Sequence, residues 1–199
     1  MLFRRAVYIG RFQPPHQGHL ASVKLGLEIA STVIIGVRET PLGPKDPLTV
    51  NERIECWRRL LEWADVDLSR VVIRAVPDFG KDTPLPTEDK VIFSNHPLIT
   101  WARTVEKLLN MNPSDTAFIG NKPPMVIAFN LLGYVVVPGH RNVHRCIEVS
   151  ASELRRKILS GDESWKKMLP PPVTEYLEHI DIYRRLLSLG ASISDVVTK

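Results

Sequence analysis

Apolar residues recur along this chain in two rhythms. Short unbroken runs end at or near glycine or proline: Ala6-Val7-Tyr8-Ile9 before Gly10, Thr32-Val33-Ile34-Ile35-Gly36-Val37, Val71-Val72-Ile73-Arg74-Ala75-Val76 before Pro77, Ala117-Phe118-Ile119 before Gly120, and Tyr134-Val135-Val136-Val137 before Pro138. Such runs read as strands buried in a parallel sheet. Between them apolar positions fall three and four apart: Leu20, Val23, Leu27 and Ala30; Ile54, Trp57, Leu60 and Leu61; Leu98, Trp101, Val105 and Leu108. That spacing predicts helices with one buried face. Thr49 and Glu52 have capping-box spacing, as do Ser150 and Glu153, so helices start at both places. A further helix begins at Pro123 or Pro124 and stops at Gly133. After the Pro170–Pro172 break one helix is expected near Val173 to Leu189, with Tyr176, Leu177, Ile180, Tyr183 and Leu187 packed on the sheet. The alternation predicts an α/β fold: a doubly wound, Rossmann-like parallel sheet with helices on both faces. Residues 1–199 are expected to form a single domain, with a C-terminal helical segment over about 150–190 and frayed residues from Ser192 onward.

Composition narrows the setting more than the activity. The chain has 199 residues, 44% hydrophobic and 24% charged, which suits one globular domain. No apolar run approaches the roughly 20 residues of a membrane helix, and no secretory signal follows Arg4 and Arg5. The two cysteines, Cys56 and Cys146, stand in no metal or CxxC pattern. A cytoplasmic protein with reduced thiols and no membrane partner is expected. The net charge of +4 and a pI near 9.2 fit polyphosphate substrates and weak nucleic-acid binding alike. No internal repeat or low-complexity segment appears.

The candidate chemistry gathers between the first strand and the first helix, in Gly10-Arg11-Phe12-Gln13-Pro14-Pro15-His16-Gln17-Gly18-His19-Leu20. Open α/β sheets bind ligands at such strand-to-helix turns. Gly10 permits close approach, the prolines stiffen the loop, and free N–H groups at the helix start near Gly18 favour an anion. A phosphate there would meet His16, His19 and Arg11. Arg53, in the first turn of its helix, is either a surface residue paired with a carboxylate or a second phosphate ligand. Asp78 and Asn121 follow strand ends. Residues 80–94 look like a long loop or lid. His140 to Arg145 reads as a basic loop; zinc there lacks nearby further ligands, and the arginines oppose it. Ser150-Ala151-Ser152-Glu153-Leu154-Arg155 offers amides, hydroxyls and a guanidinium at a helix start, a second anion site.

Residues 10–19 resemble the HxGH signature of the nucleotidyltransferase superfamily, and residues 5–185 resemble the archaeal type of nicotinamide-nucleotide (NMN) adenylyltransferase. Asp46 to Arg53 is similar to that family's DPFTxGER segment, Pro77-Asp78 to its strand-end aspartate, Gly120-Asn121 to its Gly-Asn pair, and Ser150 to Arg155 to its SATEIR motif, with Ser152 for threonine. The sequence departs from the pattern in two places. Gly36-Val37-Arg38-Glu39-Thr40-Pro41 replaces Gly-x-Gly-Ser-Ala-Gln, and Asn95 and Trp101 stand six apart where the family has Asn-x-x-Trp.

The resemblance implies a nucleotidyltransferase-type fold and adenylyl transfer from ATP to NMN, giving NAD and pyrophosphate, with Mg²⁺ entering with ATP and no protein metal site. It implies catalytic roles for His16, His19, Arg11 and Arg155. ATP contacts are expected from Gly10, Phe12, Gly18, Gly120, Asn121, Ser150 and Ser152. NMN contacts are expected from Arg53, Asp78, Asn95 and Trp101. It also implies a homo-oligomer, such as a hexamer, and nucleic acid is not expected as a partner. Two rivals stay open: nucleotidyl transfer to another phosphorylated acceptor, and a non-catalytic nucleotide or RNA sensor, which Arg141 to Arg145 would suit. A class I aminoacyl-tRNA synthetase is disfavoured by the chain's length and by the missing Lys-Met-Ser-Lys-Ser loop.

Overall fold

Five apolar runs become the strands of one parallel sheet: β1 (Phe3–Gly10), β2 (Ala30–Arg38), β3 (Val71–Val76), β4 (Thr116–Ile119) and β5 (Val135–Val137). The computed structural model describes residues 1–80, 96–139 and 150–192. Its helices are α1 (Gln17–Ile29), α2 (Val50–Trp63), α3 (Pro97–Leu108), α4 (Pro123–Leu131), α5 (Ala151–Leu159), α6 (Pro171–His179) and α7 (Ile182–Ser188). Contacts divide the chain into two units. One comprises Met1–Gly10, Ala21–Glu39 and Ser69–Arg145; the other comprises Arg11–Leu20, Thr40–Leu68 and Cys146–Lys199.

The first unit holds the sheet, in the order β3-β2-β1-β4-β5. The register Ala6↔Val33 and Ala6↔Ala117 sets small and β-branched residues on one face, and Val7↔Ile34 and Val7↔Phe118 set larger ones on the other. Helix α1 covers the first face closely. A Cβ on Gly26 would stand 2.8 Å from Val33 and 2.9 Å from Ile119, so any larger residue would force those side chains to shift. The opposite face packs with α3 and α4, through Leu98, Trp101, Val105, Met125 and Phe129. Strand order reverses between β1 and β4, where such sheets take ligands beyond their carboxyl ends.

Three details differ from the periodicity. Ala30 opens β2 instead of closing α1, because the Arg70 guanidinium takes the carbonyls of Leu27 at 2.7 Å, Ala30 at 2.9 Å and Ser31 at 3.0 Å and so ends the helix. Leu108 is exposed, and Leu109, at the C-cap and four residues after Val105, is buried in its place. On α2, Arg53 and Cys56 are buried with Trp57, Leu60 and Leu61, while Ile54 is only partly covered.

The second unit is helical. Thr49 caps α2 with both bonds of the capping box. Ser150 caps α5 with only half of one, accepting from Glu153 N at 3.0 Å, because the Glu153 carboxylate is taken by Arg156. The long C-terminal helix expected from Val173 is two helices. Asp181, at φ +48°, breaks the chain and caps α7. Its buried residues are Val173, Thr174, Leu177, Ile182 and Leu186, while Tyr183 and Leu187 are exposed. Instead of a sheet, the recorded neighbours are α2 for α6 and α5 for α7. Among the described residues no helix is long and apolar enough to cross a membrane.

Candidate active site

The loop after β1 is held from three sides by groups that its own sequence does not contain. Gln13 exchanges both amide bonds with the Leu48 backbone, at 3.1 Å and 2.9 Å. Arg53, fully buried, donates to Arg11 O at 2.7 Å and to Thr49 O at 3.1 Å. It is therefore not the surface residue considered above, and its recorded hydrogen bonds brace the loop backbone. Arg155, 5% exposed, donates to Gln13 O at 3.0 Å. Phe12, at φ +53°, sits in the left-handed region that a bulky residue enters only under constraint. Its ring is wedged edge-on against His19 at 5.0 Å and Trp57 at 5.1 Å.

The two imidazoles are placed by the same turn. His16 N–H donates to His19 Nδ1, and Gly18 N–H donates to His16 Nδ1, each at 3.2 Å. With both Nδ1 atoms accepting, the neutral rings carry their protons on Nε2, so both can act as donors. The ring centroids are 3.7 Å apart. A Cβ on Gly18 would stand 3.2 Å from the His16 ring, so a larger residue would push that ring out of line.

Two cations complete this region. Arg11 reaches both oxygens of the buried Asp46, at 3.2 Å and 3.1 Å, with its side chain still 41% exposed. Among the described residues Arg155 has only neutral hydrogen-bond acceptors, Gln13 O and, at 3.5 Å, Ser152 Oγ, and its Nε is buried without a partner. Burial, with Arg11 nearby and against the pull of Asp46, brings its pKa down to about 10. It remains charged at neutral pH, and an anion beside it would offset the lost hydration. Cys56 is no nucleophile: burial first, then Glu52 and Glu55, push its thiol far above the ordinary range.

The other expected residues lie in the sheet unit. Asp78 follows β3 and is taken by Arg38, whose Nε donates at 2.7 Å and whose Nη2 reaches the same oxygen. The Arg38 guanidinium lies 3.9 Å over the Phe79 ring. Phe79 meets Trp101 edge-on at 4.8 Å, and Trp101 Nε1 donates to Pro77 O at 2.7 Å. Gly120 follows β4, and Asn121 Oδ1 accepts from Gly139 N at 2.7 Å. Asn95, most of the 80–94 loop, and His140 to Arg145 lie outside the described residues. The sequence reading missed Gln13, Trp57, Arg38 and Phe79 as working residues. Arg38 stood in plain view as a departure from the family pattern; the other three carried no local signal.

The strand order places the protein among the doubly wound, nucleotide-binding α/β folds. Within that class, the chain belongs to the cytidylyltransferase-like family, whose model matches residues 7–157. It is 32% identical to the nicotinamide-nucleotide adenylyltransferase of Pyrobaculum aerophilum, over 92% of each chain. It is 31% identical to the enzyme of the same name from Methanolobus tindarius, over 96% of this chain and 98% of that one. Among solved structures, it resembles a bifunctional NMN adenylyltransferase/ADP ribose pyrophosphatase from Francisella tularensis, complexed with AMP and a manganese ion. There the TM-score is 0.66 at 23% identity, covering 94% of this chain and 52% of that one. That likeness bears on the fold alone.

Proposed function

We infer that the protein is a nicotinamide-nucleotide adenylyltransferase. It transfers the adenylyl group of ATP to NMN, forming NAD and releasing pyrophosphate. The observation that carries this reading is the family membership, with full-length relatives of that name. The chemistry of the loop supports it. An NMN phosphate oxygen attacks the α-phosphorus of ATP in line; the new P–O bond forms as the bond to the β-phosphate oxygen breaks, and pyrophosphate leaves. Such a transfer needs positioning and charge stabilisation and no covalent intermediate.

His16 and His19 would donate from Nε2 to the phosphate oxygens on which charge develops. Arg155, with the helix start at Ser150 and Ser152, would hold the leaving phosphates, and Arg11 would contribute its exposed edge. Gly10, Phe12 and Gly18 would shape the loop around ATP, and Gly120 and Asn121 would border the adenine. Asp78, Asn95 and Trp101 would serve the acceptor. Arg53 is better suited to holding the loop than to meeting NMN.

A divalent cation would be needed for the triphosphate, with Mg²⁺ expected. The ion would enter with the nucleotide; among the described residues no three His, Cys, Asp or Glu side chains gather at one place.

The test is a purified-protein assay with ATP, Mg²⁺ and NMN that reads NAD and pyrophosphate together. Both should form, and His19→Ala should lower turnover at least roughly tenfold, about 1.4 kcal/mol of transition-state stabilisation. ATP binding without pyrophosphate would move the protein to the sensor reading. Pyrophosphate only with another phosphorylated acceptor would keep the chemistry and change the substrate.

A further inference from the structure

The loop between β1 and α1 is tied to one short segment, Asp46 to Thr49. Asp46 takes the Arg11 guanidinium, Leu48 takes the Gln13 amide, and Thr49 O takes Arg53. Gln13, Asp46 and Leu48 are all buried. The Gln13 tie is the most exacting of these. Gln13 Nε2 donates to Leu48 O at 3.1 Å, and Leu48 N donates to Gln13 Oε1 at 2.9 Å. A side-chain amide can donate and accept at once, whereas a carboxylate only accepts and an ammonium only donates. Two bonds to the backbone of one residue hold the amide plane, and this restrains the Gln13 backbone behind it.

That backbone has a second task. Gln13 O accepts from Arg155 Nη1 at 3.0 Å. Among the described residues this is the only hydrogen bond between the Arg155 guanidinium and another segment, since the 3.5 Å approach to Ser152 Oγ lies within α5. An arginine side chain has many rotamers, so the place of its guanidinium depends on what it is bonded to.

We propose that Gln13 is a positioning residue. Its side chain, held by Leu48, sets the carbonyl that aims the Arg155 guanidinium, and so sets the grip on the triphosphate. This assignment rests on the ATP-binding part of the reading above and adds to it the residue that places the buried cation.

The test is a double-mutant cycle read as the dissociation constant for ATP, by calorimetry on the full chain with Mg²⁺ and no acceptor. The stoichiometry of the same titration counts the folded fraction, so partial unfolding does not enter the constant. Gln13→Met keeps the length and loses both bonds to Leu48, and it should weaken ATP binding about tenfold. In an Arg155→Met background the same change should weaken it less than about twofold, because the group it acts through is gone. Gln13→Glu keeps the acceptor and loses the donor. It should show the same dependence on Arg155, and it carries the cycle if the Met variant does not fold. A merely structural Gln13 would lower the melting temperature and leave the two factors equal. Equal factors in the two backgrounds, or ATP binding unmoved by either change at Gln13, overturn the assignment. Coupling as expected in a protein that releases no pyrophosphate with NMN would uphold it and overturn adenylyl transfer to NMN alone. A wild type that does not bind ATP would overturn both.

Discussion

Arg155 and Arg38 are both buried guanidiniums, and the fold treats them in opposite ways. Arg38 has a carboxylate, so its charge is cancelled inside the protein. Among the described residues Arg155 donates only to a backbone carbonyl and a serine hydroxyl, with the Asp46 carboxylate acting on it only at a distance. A buried charge without a counter-ion costs stability, and proteins keep one where a ligand supplies the opposite charge. The first arrangement is satisfied within the protein; the second leaves a cation that a phosphate would complement.

The largest effect that should sharpen this contrast is at Arg155. Replacement by Met keeps the bulk and removes the charge. It should lower kcat/KM for ATP about 100-fold, some 2.7 kcal/mol, while leaving the melting temperature unchanged or raised. A variant that melts early but turns over normally would make Arg155 a structural residue. A smaller effect is expected at Trp101. Its replacement by Phe removes the hydrogen bond to Pro77 O, at about 1 kcal/mol, and should raise KM for NMN several-fold with kcat held. A fall in kcat alone would break the assignment of this edge to acceptor binding.

The smallest effect is electrostatic and lies at the start of α2. Burial works against the Glu52 carboxylate, but its hydrogen bonds to Thr49 and Arg185 outweigh this and hold its pKa below the ordinary value. A depressed carboxylate pKa adds stability above the unfolded-state value, and that stability is lost as pH falls through the folded one. Arg185→Met should therefore lower the melting temperature by a few degrees at pH 7, and the gap to wild type should close below about pH 4. A gap that persists in acid would mean that Arg185 acts by packing.

Much of this was legible in the sequence because it is local. Strand periodicity found β1 to β5, since each buried run needs only its own residues to declare itself. Helix starts at Thr49 and Ser150 were visible because a cap and its partner lie three residues apart. The HxGH loop was visible because a turn, two histidines and a helix start are contiguous. One error arose where a distant residue intervenes, since Arg70 shortens α1 from 40 residues away; another was local, since Asp181 breaks a helix whose apolar spacing runs on through it.

By itself, then, the sequence determined the parallel α/β alternation, the helix caps and the strand-to-helix loop that carries the two histidines, because hydrogen bonds and apolar spacing within one element encode them. Only the tertiary structure decided what each cation does. Arg155 reaches Gln13 across 142 residues, Arg53 reaches Arg11 across 42, and Arg38 reaches Asp78 across 40. Whether a charge is cancelled or left for a ligand depends on which group the fold brings within about 3 Å, and local spacing carries no record of that.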